Sequence, residues 1–75
     1  MGRLKRLSGQ GVRRILEGHD FRLVRQRGSH FVMQRQNGDT TLTVPVPDHR
    51  DLKPGVLRAI IRQTGIPRMA FEDDE

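Results

Sequence analysis

Apolar residues near the start of the chain recur at helical spacing. They predict a helix from about Ser8 to about His19, with these positions on its buried face: Val12, Ile15 and Leu16. Ser8 is a favourable N-cap residue because its hydroxyl can accept from a free amide of the first turn. Either Gly18 or Asp20 is expected to end the helix in the left-handed conformation.

Alternation of apolar and polar residues replaces the helical spacing after this helix. It predicts three antiparallel strands at Phe21–Arg27, His30–Arg35 and Thr40–Val46. A tight break at Gly28-Ser29 separates the first two strands, and Asn37-Gly38 is a strong hairpin signal because both residues accept positive φ. Pro45 lacks an amide hydrogen, so the third strand is expected either to lie at an edge of the sheet or to end there.

Helical spacing returns in the last third of the chain. A second helix is predicted to begin near Leu52 to Pro54, with these residues on its apolar face: Val56, Leu57, Ile60 and Ile61. Gly65, followed by Pro67, gives a strong stop signal. Residues 68–75 end in four consecutive acids and are expected to form a frayed acidic tail.

The predicted order of elements is therefore α-β-β-β-α, which belongs to the α+β class. Both helices are expected on one face of a three-stranded antiparallel sheet, as a two-layer sandwich. A chain of 75 residues has room for a single domain, here residues 1–75 with a folded core of about 4–67.

Charge is concentrated in the body of the chain. The sequence holds 14 basic and 9 acidic residues, and without residues 72–75 the net charge rises from +5 to +9. Twelve of the basic residues are arginine, whose planar fork suits phosphate groups. Such a balance favours an anionic partner, of which nucleic acid is the most common.

Composition also excludes several classes of protein. The chain has no cysteine, so disulfide scaffolds and thiol chemistry are excluded. It has neither a long apolar run nor an apolar signal-peptide core, which predicts a cytoplasmic protein that does not enter the membrane. The three histidines match no metal-ligand spacing, so we expect no metal and no cofactor.

One stretch, Arg25-Gln26-Arg27-Gly28-Ser29-His30, combines groups suited to RNA chemistry. Histidine can remove a proton near neutral pH, and RNA supplies its own nucleophile in the 2′-hydroxyl. His30 is therefore a candidate general base, although it can equally be an ordinary half-exposed strand residue. Helix-end position favours a structural role for His19. His49 is expected on a surface loop and is the only candidate for a second titrating group.

Several segments in the same order closely resemble the HicA-type toxins, also called YcfA-like mRNA interferases. The resemblance extends from about Lys5 to Ile66. These segments carry it: Arg6-Leu7-Ser8-Gly9, Phe21 to His30 with its Gly-Ser-His end, Asn37-Gly38-Asp39, Thr43-Val44-Pro45-Val46, and Leu52 to Ile61 with its Lys-Pro-Gly. It implies a fold like the double-stranded-RNA-binding domain. It also implies a type II toxin that cleaves mRNA without a metal, with His30 as the catalytic residue and a HicB-type antitoxin covering the active site.

The chemistry of the stretch from Arg25 to His30 and the family resemblance lead to one functional hypothesis, that the protein is an endoribonuclease. His30 acts as base, with Arg25, Arg27 and Lys53 as phosphate contacts and Ser29 and the Gly28 amide as secondary contacts. Oligomerisation is expected through the antitoxin. The family often has a second histidine or an aromatic pair after the motif, where this chain has Phe31-Val32-Met33, so the general acid stays unassigned.

Two other functions remain open at this point. The chain could be a binding module of the double-stranded-RNA-binding type, which reads A-form shape without cleaving it. It could also be an interaction subunit whose basic surface docks an acidic protein. RNA cleavage separates the first hypothesis from the second, and growth arrest on expression separates it from the third.

Overall fold

The computed structural model describes residues 2–73, and its order of elements confirms the predicted α+β fold. The elements are α1 (Gly9–Glu17), β1 (Arg22–Arg27), β2 (His30–Asn37), β3 (Thr40–Pro47), α2 (Pro54–Thr64) and a short 3-10 helix, η1 (Arg68–Phe71). The two α-helices pack with one face of a three-stranded sheet, as in the double-stranded-RNA-binding domain. Twelve buried apolar side chains form the core. They come from the two helices, β2, β3, η1 and the connections, whereas β1 adds only the partly buried Leu23.

Helix α1 begins as predicted and ends two residues earlier than expected. The Ser8 hydroxyl accepts from the Gly11 amide at 3.0 Å, which confirms the N-cap. Of the two candidates for the left-handed residue, Gly18 is right-handed and Asp20 has φ 71°. Asparagine and aspartate tolerate this conformation better than most residues, so Asp20 can turn the chain into β1.

The sheet has the order β1-β2-β3 with antiparallel neighbours throughout. Pro45 therefore lies on an edge strand, as predicted. The β2–β3 turn is one residue later than expected: Asn37 still pairs with Thr40, and Gly38-Asp39 forms the connection. Only Gly38 of these residues has positive φ, at 64°, so a single glycine is enough for this turn.

The prediction of a frayed acidic tail from residue 68 is wrong for the residues that the structure describes. Phe71 in η1 is fully buried, and its carbonyl accepts from the Lys5 amide at 2.8 Å. Glu72 pairs with Leu4 in an isolated bridge and with Arg68 in an ion pair of 2.6 Å. Burial of one aromatic ring thus orders a segment whose acidic residues predicted disorder. Residues 74 and 75 lie outside the described residues.

Arg35 connects the sheet to the C-terminal ends of both helices. Its side chain is on the helix-covered side of β2, and Nη2 donates to the Thr64 carbonyl at 3.1 Å. Nη1 donates to the His19 carbonyl at 3.4 Å, just beyond α1. The guanidinium also lies 4.6 Å from the centroid of the Phe21 ring. A cation at this place satisfies carbonyls at the negative ends of two helix dipoles.

Gly9 marks a close approach between α1 and the chain that follows β3. Its amide donates to the His49 carbonyl at 2.8 Å, and a Cβ atom at this position would lie 2.0 Å from the Pro47 carbonyl oxygen. The first turn of α1 and the end of β3 can approach this closely only with glycine at position 9.

We expect Arg35→Ala to lower the free energy of unfolding by about 2–3 kcal/mol, because hydrogen bonds from a charged donor to two carbonyls are lost together. Arg58→Ala is the control, since Arg58 is exposed on α2 and should change stability by less than about 0.5 kcal/mol. Urea denaturation measures both. Equal stability of the two variants would show that Arg35 does not secure the helix ends.

We expect Gly9→Ala to lower the free energy of unfolding by about 2 kcal/mol or more, because the added methyl group overlaps backbone atoms that cannot move independently. Gly55→Ala is the matched control: a Cβ there meets nothing within 4 Å, and alanine should stabilise the first turn of α2 by about 0.4–1 kcal/mol. Thermal or urea denaturation should therefore give opposite signs for the two glycine substitutions. A neutral Gly9→Ala would contradict the close approach.

Candidate nucleic-acid interface

Strand register places three arginines and one histidine on the uncovered face of the sheet. Phe31 and Met33 of β2 point into the core, so the residues that alternate with them point away from the helices. On β1, Arg22 is opposite Gln34, Arg25 opposite Val32 and Arg27 opposite His30. Directly opposed residues project to the same side, so this surface, here called the arginine face, contains Arg22, Arg25, Arg27 and His30.

A β-bulge at Val24 creates this arrangement. Leu23 is opposite Met33 and Arg25 is opposite Val32, so Val24 is the extra residue. In a regular strand starting from Arg22, strict alternation would turn Arg25 and Arg27 toward the helices. The bulge shifts the alternation by one residue and brings them to the face of His30. The bulge was not predicted from the sequence; the adjacent apolar pair Leu23-Val24 is the one local signal that alternation fails here.

His30 is exposed at the first position of β2, between two different neighbours. Its backbone is opposite Arg27 on β1 and opposite Pro47 on β3. His30 is thus an exposed strand residue next to a turn, and the cationic Arg27 is opposite it on β1. Both interpretations of the sequence agree with this position.

Backbone hydrogen bonds hold the turn before His30 in place. Gly28 has φ 57°, which allows the tight reversal, and the Ser29 carbonyl accepts from the Asp48 amide at 2.7 Å. Two hydrogen bonds of 2.8 Å in turn hold the chain after β3. The Gly9 amide donates to the His49 carbonyl, and the Leu52 amide donates to the Leu7 carbonyl. Gly28 and Ser29 therefore lie next to His30 in a turn that a hydrogen bond to the chain after β3 holds in place.

Lys53 is at a different place from the other predicted contacts. It is the N-cap residue of α2 and lines a recess with Lys5, Arg6 and Asp51. His30 lines another recess, between β3 and α2. A phosphate contact by Lys53 remains a prediction, and it would require RNA to extend beyond the arginine face.

The other two histidines lie outside the strands of the sheet. The His19 ring nitrogen Nδ1 is 3.0 Å from the Ile15 carbonyl at the end of α1, as expected of a helix-end residue. His49 is exposed in the loop after β3. Within residues 2–73, no three histidine, cysteine, aspartate or glutamate side chains gather as a metal site.

Charge on the arginine face is largely uncompensated. None of the three ion pairs found within residues 2–73 includes Arg22, Arg25 or Arg27. Arg22 shares a polar recess of about 350 Å³ with Asp20 at the far end of the sheet, so an acidic side chain is near this arginine. Such a surface attracts anions.

Fold and surface together define the class of protein. It is a small α+β domain like the double-stranded-RNA-binding domain, with an arginine face that ends at one exposed histidine. The chain matches the family model for the HicA toxin of bacterial toxin–antitoxin over residues 9–66. It belongs to the HicA toxin family, and is therefore the toxin of a toxin–antitoxin system with a cognate antitoxin as partner.

Other comparisons add no relatives. No curated protein and no solved structure matches the chain. Neither α-helix of the part that the structure describes is long and apolar enough to span a membrane.

Proposed function

We propose that this toxin is a metal-independent endoribonuclease that cleaves mRNA on the arginine face, with His30 as general base. The observation that carries the proposal is the register of β1 against β2, which puts Arg25 and Arg27 on the same face as His30. A phosphate bound by the two guanidinium groups brings the adjacent ribose to the imidazole. Membership in the HicA family supports a nuclease role in general.

The reaction that fits these groups is transfer within the RNA strand. The His30 imidazole removes the proton of a 2′-hydroxyl, the 2′-oxygen attacks the neighbouring phosphorus, and the bond from phosphorus to the 5′-oxygen breaks. The departing oxygen takes up a proton, and a 2′,3′-cyclic phosphate remains on the first fragment. Arginine neutralises the charge that develops on the phosphoryl oxygens. The proton donor is unassigned.

A HicB-type antitoxin is the proposed partner. An acidic surface that covers the arginine face would satisfy the uncompensated arginines and hide His30 at once. Oligomerisation would then follow from the antitoxin, and the toxin would act in the cytoplasm, where mRNA is found.

We expect His30→Ala to lower cleavage of a single-stranded RNA by about 10²–10⁴-fold, the usual contribution of general base catalysis. RNA affinity should change little, because the arginines remain. Gel analysis of cleavage and a binding titration measure the two effects, with His19→Ala as the matched control at the end of α1. Equal cleavage by wild type and His30→Ala would remove His30 from the mechanism, and binding without any cleavage by wild type would favour a non-catalytic binding module.

We expect Arg25→Ala and Arg27→Ala each to weaken RNA binding and to reduce the slope of log K against log salt by about 0.7, the value for one lost phosphate contact on a single strand. Gln26→Ala should not do so, because Gln26 is between them but opposite Phe31, on the other side of the strand. Arg14→Ala, which removes the same charge from an exposed position on α1, is the second control. An equal slope change for Arg14 and Arg25 would mean that net charge alone binds RNA.

A further inference from the structure

His30 stands at a boundary between a cationic and an apolar surface. Across the three strands, its row reads Arg27, His30, Pro47, and the next row reads Arg25, Val32, Pro45. Both rows change from arginine on β1 to proline on β3 within two strand spacings, about 10 Å. The function proposed above uses only the arginine side of this boundary.

A shallow recess continues the apolar side. It has a volume of about 320 Å³, and its lining includes His30 at one end, the two prolines on β3, and Val56, Ala59 and Gln63 on α2. We refer to it as the α2 groove. Besides His30, Gln63 is the one polar side chain in its lining, and it is exposed.

We propose that the α2 groove is a nucleobase subsite, which holds the base of the nucleotide whose 2′-hydroxyl faces His30. This inference rests on the proposed ribonuclease function. In a nucleotide, the phosphate and the base leave the ribose on different sides. When the ribose sits at His30 with its phosphate on Arg25 and Arg27, the base is directed across β2 toward Pro47 and α2.

The lining of the α2 groove suits a base better than a protein partner. Proline rings and aliphatic side chains offer flat apolar contact to the face of an unstacked base, and the Gln63 amide can donate to and accept from its edge. Single-stranded RNA is recognised in this way, by contact with base faces and hydrogen bonds to base edges. Its volume of about 320 Å³ is at the lower end of the range for small-molecule pockets, about 300–1,000 Å³, which suits a single ring system. A stable protein interface buries about 800 Å² on each partner, and a recess this small can supply only a part of that area.

Photo-crosslinking tests the subsite without depending on catalysis. The full-length His30→Ala variant is mixed with a single-stranded RNA oligonucleotide that contains 4-thiouridine, irradiated, and digested for mass spectrometry. We expect crosslinks on peptides that carry residues 45–47 and 55–63. Bound RNA that crosslinks only elsewhere would overturn the subsite and leave the RNA-binding function standing. Failure to bind RNA at all would overturn both.

Cleavage specificity provides the second test. Gln63→Ala should change the relative cutting of different sites on one transcript by about fivefold, equal to about 1 kcal/mol at 1.4 kcal/mol per tenfold. Ala59→Leu, which fills the α2 groove, should slow cutting at every site by about tenfold or more. Gln10→Ala removes an exposed amide from α1 and should leave the pattern unchanged.

The outcomes separate this inference from its alternatives. Wild-type cleavage with the same sites and rates in Gln63→Ala and Ala59→Leu would overturn the nucleobase subsite while the ribonuclease function stands. Loss of antitoxin binding in Ala59→Leu, with cleavage unchanged, would identify the α2 groove as a protein-docking surface and would also overturn the subsite. Circular dichroism of Ala59→Leu verifies that it is folded.

Discussion

Pairing of β2 on both sides is the constraint on which the rest of the structure depends. As the central strand, β2 fixes which side chains of β1 and β3 share its two faces. Phe31, Met33 and Arg35 point toward the helix layer, where the first two fill the core and the third binds carbonyls at the C-terminal ends of both helices. The residues between them necessarily point outward, beginning with His30. Core formation and exposure of the candidate base are therefore two consequences of one alternation.

The bulge at Val24 places Arg25 and Arg27 on the same face of the sheet as Arg22 and His30. Three arginines on one face repel one another, by about 0.6 kcal/mol for a pair of charges ~7 Å apart in water. This cost is small because the side chains are exposed and salt screens them. It falls further when an anion binds, which is the physical basis for the proposal that this surface binds RNA or an acidic antitoxin. In the proposed function, the apolar recess beside His30 holds the base while the arginines hold the phosphate.

Much of the fold could be predicted because its signals are local. The Ser8 N-cap, the left-handed Gly65 after α2 and the edge position of Pro45 each depend on the chemistry of one residue and its near neighbours. Errors arose where a distant contact outweighs a local tendency. Phe71 orders the chain after α2 because it fills a place in the core next to the N-terminal segment, and no pattern within residues 68–75 reports that place. The two-residue turn at Gly38-Asp39 was misplaced by one position because Asn37 prefers its cross-strand partner Thr40.

For the candidate site, the sequence by itself determined the inventory: one histidine after a Gly-Ser turn, arginines just before it, and a motif order that matches the HicA family. These follow from residue types and spacing, which are properties of the chain. Only the tertiary structure decided which of those groups share a surface. It brought Arg25 and Arg27 to the side of His30 through a bulge, placed Lys53 on another recess, and set α2 against β3 so that an apolar groove adjoins the imidazole. The physical reason is that a strand's faces are assigned by pairing with its neighbour, and one extra residue in that pairing reverses every side chain that follows.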